Sequence, residues 1–303
     1  MLDTPFRRVR ISRKELHSLF GRFLKSLRQN RPETRGTYER ALREFLRWFS
    51  DDGHVLFLVE DIERYKRHLT LRKKLSPVSV STYLTAVRRF CEFLVHAGVL
   101  VANPARPVYG NERPHSHSRE SLTPDEVDRL LVAVDRADER GRRDFAVILL
   151  MLECALSEIE IIRADVGDFV IRNGDASLAV QGKGCVTKDA VVSLPPDVRE
   201  AMGQYLAMRG PMDPSDPLFA SAGNRTRGER MTTRGVRDRV NACLERAGIK
   251  QGKMRRVTPY SLRHTAAAQM ARRGATAEEI QKRMRLGSLT TARLYIQESK
   301  SEP

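Results

Sequence analysis

Thr258-Pro259-Tyr260-Ser261-Leu262-Arg263-His264-Thr265 stands at the head of a helical pattern over 261–273. Two more helical patterns follow it, at 276–285 and 289–297, and one precedes it at 233–247. Further back, Val166 to Ser193 reads as short strands, with turns at Asn173-Gly174 and Gly182–Gly184. Phe145 to Leu156 is a candidate buried helix. Leu122-Thr123-Pro124-Asp125-Glu126-Val127 is a helix start: Thr123 can cap, Pro124 suits the first turn and Glu126 completes a capping box. The strand–helix alternation of a doubly wound sheet is missing. The expectation is a mainly α protein in which helices surround a small antiparallel β-sheet.

The amino-terminal third is different. Four helical patterns fall within 12–98. Leu16, Leu19, Phe20, Phe23, Leu24 and Leu27 share one stripe. Tyr38, Leu42, Phe45, Leu46 and Phe49 share a second. Ile62, Tyr65 and Leu69 give a weaker third; Val80, Tyr83, Leu84, Val87, Cys91 and Leu94 give the fourth, after Ser76-Pro77. Each stripe needs a partner, so a compact bundle is predicted, with its aromatics in the core. Prolines and polar residues then disfavour a continuous helix. The boundaries read as a helical domain over 1–106, a linker over 107–119 and a second domain over 120–303.

Charge narrows the class of partner. The 303-residue chain carries 54 Lys+Arg against 38 Asp+Glu, a net +16. Residues 1–110 hold 22 of the basic and 11 of the acidic residues, so the excess is concentrated there. A folded core does not require such an excess; a polyanion does. Arg35, Arg40, Arg43, Arg47, Lys73, Lys74, Arg88 and Arg89 are the candidate phosphate contacts.

Other classes fall away. No run approaches the ~18 apolar residues of a membrane span, and Met1 to Arg8 lacks the apolar stretch of a signal peptide. Cys91, Cys154, Cys185 and Cys243 form no Cys-x-x-Cys pair, against a zinc knuckle or disulfide scaffold. His115 and His117 have no third ligand nearby. No metal, no cofactor and no membrane partner are expected; a reducing, cytoplasmic setting is.

The ordered set of a basic helical domain, linker, capped helix, Gly182-Lys183-Gly184, Thr258–Thr265 and Leu289-Thr290-Thr291-Ala292-Arg293-Leu294-Tyr295 resembles the tyrosine recombinase (phage integrase) family, including its Xer-like site-specific members. The likeness runs over about 12–300. It implies a helical-bundle core-binding domain followed by an α+β catalytic domain. It also implies DNA cleavage and rejoining through a 3′-phosphotyrosine, with double-stranded DNA sites as partner and dimers or tetramers on DNA.

The family's active-site positions transfer residue by residue. The resemblance makes Lys183 the general acid, Arg263 a phosphate clamp and Tyr295 the nucleophile. Tyr260 falls on a histidine position and becomes an auxiliary donor, and Glu158 resembles an acidic helper. Two positions depart from the pattern: Ala155 stands where an arginine is expected, and Leu286 where a histidine or tryptophan is expected. Arg163, Arg283, Arg285, Arg225, Arg227 and Arg230 are the candidate substitutes. Two functions remain open on these residues: an active recombinase, weak or dependent on a partner, or a catalytically silent DNA-binding or accessory protein that assists an active relative. The retained Tyr295 favours the first.

Overall fold

The computed structural model describes residues 11–27, 32–51, 57–111, 120–223, 226–250 and 257–301. The chain divides into two compact units, Met1–Pro114 and His115–Pro303.

The first unit holds α1 (Arg13–Ser26), α2 (Pro32–Asp51), α3 (Val59–Arg67), a π turn over His68–Arg72, and α4 (Pro77–His96). Serines start two of them. Ser12 Oγ accepts the Glu15 N–H at the head of α1, and Ser76 Oγ accepts the Ser79 N–H at the head of α4. The four apolar stripes meet as predicted in one core of Leu16, Phe20, Phe23, Leu42, Phe45, Phe49, Ile62, Tyr65, Leu84, Phe90 and their neighbours. Phe45 and Tyr65 pack edge to face at 4.9 Å, and Phe23 and Phe90 at 5.5 Å. These aromatics hold the bundle together, each fully buried ring worth about 1.5–3 kcal/mol.

The expected linker starts later than 107. Val108 is buried in the first core. Arg88 donates to the carbonyls of Ala105 (3.3 Å) and Val108 (2.9 Å), and Lys66 donates to that of Tyr109 (2.9 Å). Asn103 ties the same segment to α4 through Arg88 O and Glu92 Oε2. Prolines keep this segment non-helical, but hydrogen bonds from α3 and α4 satisfy its backbone, so 107–111 belong to the bundle.

The second unit begins with α5 (Pro124–Ala133), whose Thr123–Glu126 capping box forms as predicted: the Thr123 N–H donates to Glu126 Oε2 (2.9 Å) and the Glu126 N–H to Thr123 Oγ1 (3.2 Å). Then come α6 (Glu139–Glu153), α7 (Glu158–Ile162) and a 3-10 turn at Val166–Asp168. Strands β1 (Phe169–Arg172), β2 (Asp175–Val180) and β3 (Ala190–Leu194) form an antiparallel sheet in the order β1-β2-β3. Asn173 and Gly174 both take positive φ, +50° and +86°, which closes the β1–β2 hairpin with Arg172 opposite Asp175. The β2–β3 pairing runs from Ala176↔Leu194 to Val180↔Ala190, leaving 181–189 as the loop that carries Lys183.

Five helices complete the unit: α8 (Pro196–Arg209), α9 (Thr233–Arg246), α10 (Pro259–Arg272), α11 (Ala277–Met284) and α12 (Leu289–Ser301). α8 and the short α7 are additions to the predicted set. α6 is the buried centre, with every residue from Ala146 to Leu152 inside, packed against α8 and α10. It ends at Glu153 and not at the expected Leu156, because Ala155 turns left-handed at φ +52°. A smaller cluster holds α10, α11 and α12 together: Ala155, Ala266, Ala267, Ala271, Ala277, Ile280, Met284, Ala292 and Tyr295. The small alanines let three helices approach closely around one tyrosine. Among the described residues no helix is long and apolar enough to cross a membrane.

Candidate active site

The α6–α7 junction is the floor of the site. Ser157 opens α7, and its N–H and hydroxyl both donate to Glu160 Oε2 at 2.7 Å. That bond turns the Glu160 carboxylate inward, where it is 2% exposed. Two arginines from distant sequence meet it there. Arg263, on the first turns of α10, reaches Glu160 Oε2 from Nη1 (2.9 Å) and also donates to the carbonyls of Ala155 and Met284. Arg285 donates from Nε to Glu160 Oε1, and from Nη2 to Glu160 Oε2 (3.2 Å) and the Ala155 carbonyl (2.9 Å).

One carboxylate thus holds two guanidiniums. Burial alone raises the Glu160 pKa, but the hydrogen bonds and charge of Arg285, then the charge of Arg263, outweigh it and hold the carboxyl below its ordinary value. The group is ionised at neutral pH and the trio keeps a net positive charge. Removing one member of such a buried set typically costs about 3–5 kcal/mol.

Arg285 occupies an unusual backbone position. It caps α11 in the left-handed region, φ +51° and ψ +46°, with its N–H and that of Leu286 closing onto Gln281 and Lys282 carbonyls. Glycine is the usual residue there, and a side chain costs roughly 1–2 kcal/mol. The turn throws the guanidinium back across the α6–α7 junction, onto the Ala155 carbonyl and Glu160.

Tyr295 lies on α12 and is 3% exposed. Its hydroxyl shares a 2.6 Å hydrogen bond with His264 Nδ1, one residue after Arg263 on α10. The Tyr260 ring packs edge-on to the His264 ring at 4.9 Å, so Tyr260, His264 and Tyr295 form a row. Burial pushes the Tyr295 phenol above its ordinary pKa; the neighbouring Tyr260 adds to this and the Arg263 charge opposes it. A cavity of about 30 Å³ borders the tyrosine, lined by Ser121, His264, Arg272 and Glu298 among others. That is room for about one water, not for a phosphodiester.

Lys183 sits exposed in the β2–β3 loop. The loop is anchored at its base: Arg163 Nη1 donates to the Gly182 carbonyl (2.8 Å), and the Gly182 N–H to Asp189 Oδ1 (2.6 Å). The Gly182 N–H holds Asp189 below its ordinary carboxylate pKa, and the Arg285 charge contributes.

Several expectations need correction. Glu158 pairs with Arg237 of α9 at 3.1 Å, and Glu160 is the carboxylate that meets Arg263 and Arg285. Arg163 is spent on Gly182, and Arg283 donates to the Glu153 carbonyl. Arg230 bonds Ile162 O, Ala164 O and Asp165. Arg227 is exposed, and Arg225 lies outside the described residues, as do His115 and His117. Leu286 is half-buried against the α10–α12 cluster and offers no donor. His264 is the residue that holds the Tyr295 hydroxyl.

In the first unit, Arg40, Arg43, Arg47, Lys73, Lys74 and Arg89 are exposed and Arg35 is half-buried. Arg43 pairs with Glu39 (2.6 Å), while Arg47 (3.2 Å) and Lys73 (2.7 Å) share Glu44. Arg88 is committed to the Ala105 and Val108 carbonyls, which removes it from the surface set.

Known proteins resemble this chain in sequence and in fold. Tyrosine recombinase XerC of Serratia marcescens is 30% identical over 282 residues, covering 91% of this chain and 88% of that protein. Tyrosine recombinase XerD of Lacticaseibacillus casei is 25% identical over 286 residues, covering 92% and 94%. The fold is similar to that of XerH site-specific recombinase in a post-cleavage complex with palindromic difH substrate (TM-score 0.70, 18% identity, 96% of this chain and 82% of that one). Residues 120–302, which carry α5 to α12 and every site residue above, match the Phage integrase family, and the chain belongs to that family.

Proposed function

We propose that the protein is a site-specific DNA recombinase that cuts and rejoins strands through a 3′-phosphotyrosine. The observation that carries this reading is the layer of α10, α11 and α12, which hydrogen-bonds the phenol of Tyr295 to His264, the residue next to Arg263 of the buried Arg263–Glu160 pair. In the reaction the phenol gives up its proton and its oxygen attacks the scissile phosphorus. The 5′-oxygen leaves with a proton from Lys183. A 5′-hydroxyl from a second strand then reverses the step, so the phosphodiester energy is kept and no nucleotide cofactor is needed. Arg263 clamps the non-bridging oxygens as charge builds on them. Tyr260 adds a hydroxyl donor, and Glu160 orients the arginine.

The nucleophile is stowed in this structure. An attack requires Tyr295 to leave His264, and α12 to shift on the alanine-lined faces of α10 and α11. Assembly on DNA supplies a reason for that shift: pairing of protomers on one site, and of two sites in a tetramer, gates cleavage. The exposed arginines and lysines of the bundle hold the duplex backbone. The reading places the protein in the cytoplasm, with the DNA.

A second reading, a catalytically silent DNA-binding relative, draws on Ala155 and Leu286, which offer no side-chain donor, and on the buried phenol. Selecting genomic fragments by binding and then offering them as nicked suicide substrates separates the two. The recombinase reading predicts a covalent adduct that Tyr295→Phe abolishes and Lys183→Ala slows by about 10²–10³-fold, the usual range for one catalytic donor. Tight binding to a selected site without any adduct would leave only the silent scaffold.

A further inference from the structure

We propose that Arg285 is a catalytic residue that supplies the second guanidinium of the phosphate clamp, in place of the arginine that the family pattern expects at the α6–α7 junction. The inference rests on the recombinase reading and deepens it.

Three observations carry it. First, Arg285 and Arg263 share one buried carboxylate, Glu160, and both donate to the carbonyl of Ala155. Their guanidiniums are therefore neighbours, held over the backbone of the α6–α7 junction. Second, the geometry leaves donors over. Arg263 Nε is buried with no acceptor among the described residues. One N–H of Arg263 Nη2 and one of Arg285 Nη1 likewise have no acceptor there, since each nitrogen makes a single hydrogen bond, to Met284 O and Arg283 O. Third, a bulky cation occupies a left-handed helix cap where glycine is the unstrained choice. A strained backbone that aims a charged group into a site is the pattern expected of function.

The electrostatics agree. Two guanidiniums and one carboxylate leave a single positive charge, which neutralises a phosphodiester. As the phosphoryl group gains negative charge in the transition state, the remaining N–H donors meet it. Three of the other candidate arginines are committed elsewhere: Arg163 to Gly182, Arg283 to Glu153 and Arg230 to Asp165.

The test removes the charge from either side. Covalent adduct formation is timed in single turnover on a suicide substrate whose scissile group is either a phosphodiester or an uncharged methylphosphonate. A residue that neutralises the phosphate matters for the first and not for the second. Arg285→Ala is expected to slow cleavage of the phosphodiester by about 10²–10³-fold and that of the methylphosphonate by less than about tenfold. Arg285→Lys, which keeps the charge, retains a ratio near wild type. The ratio of the two rates within one preparation does not depend on how much of it is folded. Arg285→Gln gives the same reading where the alanine variant is too unstable to purify. An unchanged ratio in the uncharged variants, or a phosphodiester rate within threefold of wild type, overturns the inference while the recombinase reading stands. A wild type that binds its site and forms no adduct overturns both.

Discussion

The two units use arginine in opposite ways. In the bundle, Arg40, Arg43, Arg47 and Arg89 stand in solvent, and their ion pairs are single-turn partners on the helix surface. In the second unit, Arg143 and Arg263 are 3% and 5% exposed, each bonded to a carboxylate and to backbone carbonyls. Exposed cations meet a polyanion by displacing its counterions, cheaply and without fixed geometry. Buried cations are costly unless fully bonded, so they hold a fixed position. Net charge located the first kind; the burial and the partners of the second are visible only in the structure.

The largest expected effect breaks the buried side. Glu160→Gln leaves two neighbouring guanidiniums without their anion and lowers the unfolding free energy by about 3–5 kcal/mol in denaturant titration. The pH dependence has a definite sign. Because the folded Glu160 pKa is depressed, its contribution is present above the unfolded value, near the ordinary 4.5, and is lost as pH falls through the lower folded value. The Gln variant loses that part of the acid-side slope; a wild-type slope would mean that Glu160 is not the coupled group.

The exposed side is tested by salt. Replacing Arg40, Arg47 and Arg89 together with alanine is expected to flatten the log–log dependence of DNA affinity on salt by about 0.9 per lost phosphate contact, with stability almost unchanged. Arg88→Ala should do the reverse. Its guanidinium ties the end of the bundle, so stability falls by about 1–3 kcal/mol while the salt slope keeps its wild-type value. A salt slope that moves with Arg88 would return it to the DNA-facing set. Smallest of all, a double-mutant cycle between Glu39 and Arg43, one turn apart on α2, should give about 0.3–0.5 kcal/mol; a value well above that would mean the surface pairs of the bundle are structural too.

The legible parts of the fold were those written in local chemistry. Ser76-Pro77, Thr123-Pro124-Asp125-Glu126 and Asn173-Gly174 each specify a cap or a turn within four residues, and each forms as read. α8 was harder: its buried Val198, Ala201, Met202 and Tyr205 follow two prolines, which read as a turn before they read as a first helical turn. In the site, Arg263 and Tyr295 could be named from order alone. Glu160 could not, because Glu158 is two residues away and only the fold brings Arg263, 103 residues on, to one and not the other. Arg285 was placed by sequence beside Leu286, as a candidate for that gap. The left-handed turn that carries it to Ala155 is a backbone event which no residue type there announces.

The central claim is that the stowed phenol of Tyr295 becomes the covalent carrier of the DNA strand. Its most direct test is mass mapping of the peptide that stays on a cleaved suicide substrate after protease digestion. The account predicts a 3′-phosphate ester on Tyr295, within the α12 peptide, and none in the Tyr295→Phe protein. An adduct on any other residue, or an equal yield from Tyr295→Phe, would contradict it.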